Sequence, residues 1–426
     1  MANIYYTGKA TAVAQVTTVQ VTAYDAATTY ILTVGGVAIV SVAGSVDVNT
    51  TAAAINTAWN LSVHPYATVV TGTVSTDTVT LTGATEGVPF TVVSSKTGGT
   101  GTIGAATEAT APTGPNHWDE ATNWSAGAVP TTSDNATVDD AFYIAWGLGA
   151  VAYKSLRITN KSKRTGLNSR EFATSSDART TVSTVPEYRT VYLTVTSLGT
   201  NPYTHIGDSE GPGNVRNIER CMIDLGSTAQ DCIVFGTAKT PSETGWPAVR
   251  IKANNSSTDI YVQSAQAGVG IASDSDSETS TIGDIACSDP TTASKVYISD
   301  GVTLTNAYSD GGTWIVRAGA TVTLIRIGSP AIVTTRGDYT ATTLTNNGGT
   351  VYLEHIKTGA ACVTNLNHNA GITDGTRLTI ARTITTTTIA RDASTGKYIG
   401  TFKLPDSVTL TNAPGGTGGT ELTLGG

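Results

Sequence analysis

Few residues of this chain combine the types and spacing that acid–base chemistry needs. "GDSEG" brings Asp208 and Glu210 close together. Glycosidic cleavage needs two carboxyl groups facing each other at a defined separation, one of them held protonated. Here the flanking glycines read instead as a polar turn. "SDSDSETS" sets Asp274, Asp276 and Glu278 at alternate positions. An extended loop would turn these three carboxylates to one side and hold Ca²⁺ weakly. The central glycine and distal bidentate glutamate of a calcium loop are missing, so a solvated acidic loop is the expectation and no metal is assigned. The five histidines (His64, His117, His205, His355 and His368) are scattered, and no nucleophile elbow, phosphate loop, dinucleotide fingerprint or HExxH pattern occurs. Cys221, Cys232, Cys287 and Cys362 lack CxxC spacing and read as small buried hydrophobes, with a disulfide or a zinc site as alternatives. The expectation is a protein without catalytic residues and without a cofactor.

One cationic cluster stands out. "YKSLRITNKSKRTGLNSREF" carries Lys154, Arg157, Lys161, Lys163, Arg164 and Arg170, although the whole chain has only 25 Lys and Arg. It reads as an exposed loop offsetting an acidic chain, or as a docking loop for an acidic protein surface, with Lys161, Lys163 and Arg164 as candidate contacts. The net charge of −8 and the lack of interleaved stacking aromatics argue against nucleic acid as the partner.

The elements that would carry these residues are mostly strands. Charged residues are 14% and aromatics 6%, with 45 glycines and abundant Thr and Val. Branching at Cβ suits extended backbone and crowds a helix. Residues 1–95 read as a small α+β module. "TTYILTVGGVAIVSVAG" gives two strands about Gly35-Gly36, and "NTTAAAINTAWNL" gives a helix that Asn49 or Thr50 would cap, with Ile55 and Trp59 on one face. Trp59 is the expected core plug. Residues 96–115, rich in Gly, Thr, Ala and Pro, read as a linker, and residues 413–426 as a glycine-rich tail.

Residues 116–412 read as a series of short strands with quasi-repetition. "GVTLTN" starts at Gly301, "GATVTL" at Gly319, and Gly337 follows after the same eighteen-residue step, with looser echoes beyond. Such steps mark stacked units that cannot bury their apolar side alone. Val302, Leu304, Val322, Leu324, Val351 and Leu353 would point inward. A right-handed parallel β-helix is the expected architecture, a β-sandwich array the alternative. Trp118 and Trp124, framed by turn formers, sit where the stack would begin. They are expected to cap its opening, since raw strand edges are normally covered; a carbohydrate-stacking role is the alternative.

Other classes fit less well. "MANIYYTGKATAVAQ" lacks the pattern of a secretory signal, and no apolar run approaches the ~18 residues of a membrane span, so no membrane association is expected. Asp139-Asp140 and Arg250-Ile251-Lys252 match fragments of the pectin-hydrolase pattern, but its NTD and GHG elements are missing.

Three segments carry a resemblance: "VTLTGATEGVPFTVVSS", "HWDEATNWSAGAVPTTSDNATV", and the run from "VPEYRTVYLTV" through "RNIERCMIDLGS" to the "GVTLTN" echoes. Together they resemble tailed-bacteriophage capsid decoration, or cement, proteins. The resemblance implies a homotrimer on the outer capsid surface, assembled in the host cytoplasm, that bridges subunits of the major capsid protein. In that setting Ile4, Tyr5 and Tyr6 are expected at the contact, simple edge-strand packing being the alternative. A tailspike or fibre binding host polysaccharide is the other virion role, and a polysaccharide-degrading enzyme the role from another class.

Overall fold

The computed structural model describes residues 2–34, 37–140, 142–159, 162, 164–166, 192–207, 220–235, 249–263, 268–272, 278–299, 301–317, 319–336, 339–354, 363–376, 382–390, 393–394, 399–404 and 408–412. The chain is mainly β. Among the described residues one sheet has 23 strands, and two small sheets of five and three strands form a separate module.

In the large sheet the pairings among the described residues are parallel, and most strands pair with the next but one. One line runs from Asn135–Val138 through Val151–Ile158, Leu193–Ile206, Asp231–Phe235, Asp259–Gln263 and Ser280–Cys287 to Val302–Ser309 and Thr321–Ile327. A second line runs alongside it through Arg220–Asp224, Val249–Lys252, Gly268–Ile271, Lys295–Ile298, Thr313–Val316 and Ile332–Arg336. Both lines meet the long strand Thr340–Glu354. One continuous apolar core, from Ile4 to Leu404, runs the length of this stack.

The eighteen-residue step has a structural meaning: Thr303 pairs with Thr321 on the neighbouring strand. Gly301 opens its strand at φ +74°, and a Cβ there would stand 2.6 Å from the Glu278 carbonyl oxygen. Glycine is required by both the conformation and the close approach. Val302, Leu304, Val322, Val351 and Leu353 are buried as expected, but Leu324 is only half-buried and Ile325 takes the inward place. In Val302–Ser309 the inward positions shift from even to odd residues between Leu304 and Ala307. The following strand inherits that shift, so simple alternation misassigns Leu324.

The module is built on the Val48–Leu61 helix. Its N-cap is Asp47, whose Oδ1 accepts from the Thr50 N–H at 2.7 Å, rather than Asn49 or Thr50. Trp59 is fully buried, and its Nε1–H donates to the Val70 carbonyl at 2.8 Å. Strands Thr29–Val34 and Val37–Ala43 form the antiparallel pair expected about Gly35-Gly36.

The expected domain borders move in two places. Thr102–Ile103 and Thr107–Thr110 pair with Val16–Ala23, so the segment read as a linker supplies edge strands to the module. Asn3–Tyr5 does not belong to the module; it pairs in parallel with residues 135–137 and forms the first strand of the large sheet. The module is therefore inserted after the stack has begun. Its two connecting segments lie side by side, with the Val13 N–H donating to the Thr113 carbonyl at 2.9 Å.

Candidate functional site

The first strand has two hydrogen-bonding edges. One pairs with Asn135–Val138. The other faces residues 123–125: the Ser125 N–H donates to the Tyr5 carbonyl at 2.8 Å, the Tyr5 N–H to Ser125 Oγ at 3.0 Å, and the Thr7 N–H to the Asn123 carbonyl at 2.6 Å. The open edge of the stack is thus covered by the segment that carries the two tryptophans.

Trp118 and Trp124 are buried and meet edge to face, 4.7 Å between centroids, and Trp124 Nε1–H donates to the Trp118 carbonyl at 2.8 Å. Tyr6 packs edge-on against Trp124 at 5.0 Å and Phe142 at 5.1 Å. Its hydroxyl lies 2.8 Å from the Pro115 carbonyl oxygen and 3.0 Å from that of His117. Burial, and then the nearby Asp119 charge, push the Tyr6 phenol far above its ordinary range. The expectation of a partner contact at Ile4 and Tyr6 is therefore corrected: both side chains are buried within the chain itself, because the strand's alternation turns them inward. Tyr5, 49% exposed, is the residue of the three that faces out.

Tyr5 stands at one side of a trough of about 480 Å³ on the outward face of the first strands. Parallel register brings its lining together. Asn3, Asn135, Ser155 and Tyr203 occupy successive strands at one position, and Tyr5, Thr137, Arg157 and His205 at the position two residues on. Small residues form the floor: Ser155 Oγ–H donates to Asn135 Oδ1 at 2.8 Å, and Asn135 Nδ2–H to Asn3 Oδ1 at 3.0 Å. Tyr203, His205 and Phe235 form the far wall, with His205 4.9 Å from the Tyr203 ring and 5.7 Å from Phe235. Burial first, and then Arg157, lower the His205 pKa below its ordinary 6.5, so the imidazole is neutral at pH 7.

The next strands carry carboxylates. Asp231 pairs with Asp259, and Asp284 lies one strand farther, its N–H donating to Asp259 Oδ1 at 2.8 Å. Asn306 Nδ2–H donates to Asp284 Oδ1 at 2.6 Å and ends the column. Burial, followed by the charges of Asp259, Asp231 and Asp284, raises the pKa of Tyr261 beside them.

Of the other residues singled out in the sequence, Lys161, Lys163, Asp208, Glu210, Asp274, Asp276 and Cys362 lie outside the described residues. The Arg164 backbone belongs to a two-residue strand paired with Tyr143–Ile144 and Arg220. Glu278 accepts the Tyr192 hydroxyl at 2.7 Å, and Lys252 lies 4.7 Å over the Tyr192 ring while pairing with Asp224 at 3.4 Å. Cys221, Cys232 and Cys287 are buried free thiols; burial raises Cys221 to about 12 and Cys287 to about 11, so these thiols are protonated and inert at neutral pH. Among the described residues no group of His, Cys, Asp and Glu is arranged to hold a metal ion.

Sequence reading missed the trough and the aspartate column because their members lie on different strands of the parallel sheet, far apart in sequence. A local signal did exist. "DCIVF" and "DIYVQ" both open with an outward aspartate and carry an outward aromatic two or four residues later, between inward Cys232, Val234, Ile260 and Val262. Comparison with known proteins adds no relative: no protein-family model, curated protein or solved structure matches the chain.

Proposed function

We propose that the chain is a structural component of a phage particle: a homotrimer that decorates the outer capsid surface and bridges major capsid subunits, with a right-handed parallel β-helix as its body. Parallel pairing throughout the large sheet, for most strands with the next but one, supports the helical reading. Right-handedness follows from the strong preference of parallel crossovers, about 98%.

The observation that carries the attachment role is the surface of the inserted module. Val46, Leu61 and Val63 are 76%, 76% and 93% exposed, and Val69, Val74 and Val93 are exposed around them in sequence. Scattered apolar residues are ordinary, but Leu61 ends the one long helix among the described residues, and Val63 and Val69 come after it, on either side of the short Pro65–Thr68 helix. A module held at the start of a rigid stack and showing apolar side chains suits a protein that grips a shell. A stable contact of this kind buries roughly 1,200–2,000 Å².

The test is the copy number of the chain in purified particles, by quantitative mass spectrometry against the major capsid protein. Hundreds of copies in fixed ratio to the shell subunit are expected. A handful per particle would move the chain to the tail, and absence would overturn the virion reading. Leu61→Asp and Val63→Asp together should weaken binding to isolated shells at least about tenfold; unchanged binding would remove the module from the contact.

A further inference from the structure

We infer that copies of this chain associate side by side through one outward face of the large sheet, which runs from Lys295–Ile298 through Thr313–Val316 and Ile332–Arg336 to residues 350–354 and 372–374. The inference rests on the self-association proposed above and names the surface that makes it. Alternation turns Val296, Trp314, Val333 and Val351 into the core and the residues between them outward. Register sorts the outward residues into two rows. One runs through Thr313, Ile332, Thr350 and Ile372, the other through Tyr297, Ile315, Thr334 and Tyr352.

Between the strand of Lys295 and that of Asp374, neither row carries a charge. Charge gathers at the margin instead: the Arg317 guanidinium stands 5.8 Å from the Tyr297 ring centre, and Arg336 is in register with Glu354. An apolar centre with a charged margin is the anatomy of a protein contact. The neighbouring outward positions differ. There register lines up Thr303 with Thr321, and Asn306 with Leu324, Thr343 and Asn365, so threonine and asparagine prevail.

The arrangement of bulk selects a second copy as the occupant. At each central level one row carries a large side chain and the other a threonine: Ile315 beside Thr313, Ile332 beside Thr334, Tyr352 beside Thr350. A rotation axis parallel to the stack sets the first row of one copy against the second row of the next, at the same height. Each of these large side chains then meets a threonine. The levels match by identity, about 4.8 Å per strand. No charge at the centre repels its own copy, and a strongly acidic or basic partner finds nothing there to pair with. Three copies around such an axis repeat the same contact three times.

The test is the mass of the full chain by sedimentation equilibrium over a range of concentrations. Ile315→Asp with Ile332→Asp should weaken association at least about tenfold. Circular dichroism checks that the double variant keeps its strands. Thr321→Asp, on the neighbouring outward surface, and Val63→Asp, on the module, should leave the mass unchanged. A second measurement does not depend on the double variant folding. Thr313→Cys and Ile315→Cys chains, co-expressed and oxidised, should form disulfide-linked pairs that neither single variant forms alone. An associated native chain with an unaffected double variant, or with no cross-link between the two cysteine variants, would overturn the face and leave the trimer standing. A native chain that stays monomeric would overturn both, while its copy number on particles still decides the decoration reading separately.

Discussion

His368 shows how a single polar group can be tolerated inside the stack. It is fully buried, its Nε2 lies 3.0 Å from the Ile399 carbonyl and its Nδ1 2.9 Å from Thr373 Oγ1. A carbonyl only accepts, so Nε2 carries the proton and Nδ1 accepts from the threonine hydroxyl. Burial lowers the His368 pKa below the ordinary 6.5, with the Ile399 bond acting in the other direction. The unfolded chain thus takes up a proton at higher pH than the folded one. Stability from this residue is complete above pH 6.5 and is lost as pH falls from there toward the lowered folded value. Protection of residues 363–376 against hydrogen exchange should fall between pH 7 and 5 relative to the first strands, and His368→Gln should flatten that dependence. Protection in the native chain that stays constant relative to the first strands over this interval would refute it. A second buried network, in which Tyr153, Thr204 and Gln230 share one amide oxygen and Gln230 donates to the Leu225 carbonyl, contains no group that ionises near neutral pH. It should be insensitive over the same interval.

At the scale of elements, the first strand and the tryptophan segment act as one unit. Three residues of sheet would be a weak edge if left open, yet residues 123–125 occupy its outer hydrogen bonds and the Tyr6, Trp118 and Trp124 rings seal the core behind it. Trp124→Ala should cost about 3–5 kcal/mol from cavity formation. Trp124→Phe, which keeps most of the ring but loses the bond to the Trp118 carbonyl, should cost less. Urea unfolding monitored by circular dichroism measures both. The alanine variant should also aggregate more readily, because the exposed edge can pair with another chain. Equal stability of both variants and the native chain would show that the segment is not a closure.

At the scale of the whole molecule, the large sheet is held together by parallel pairings between strands, and among the described residues the module meets it through two adjacent segments and local bonds such as His117 Nε2 to the Gly87 carbonyl at 2.8 Å. The two parts have separate apolar cores. If the proposed trimer forms, sedimentation should give three times the 43.7 kDa chain mass. Its melting temperature should then rise with protein concentration, because association stabilises the folded state by mass action. A concentration-independent melt at the monomer mass would exclude it.

Much of this protein is written locally. Thr- and Val-rich alternation dictates strands, the eighteen-residue glycine step dictates neighbours in register, and the apolar face of one helix dictates Trp59 as the module's plug, since each depends on residues close in sequence. The cap at Asp47, the half-buried Leu324 and the inward turn of Ile4 and Tyr6 depend on where a chain bends or which strand it joins. Asn3–Tyr5 finds its partner only after the whole module has intervened, and nothing within those three residues names Asn135–Val138. The same holds for the trough and the aspartate column. Parallel pairing turns residues far apart in sequence into neighbours, so the outward chemistry of this molecule belongs to the register between strands and not to any one strand's sequence.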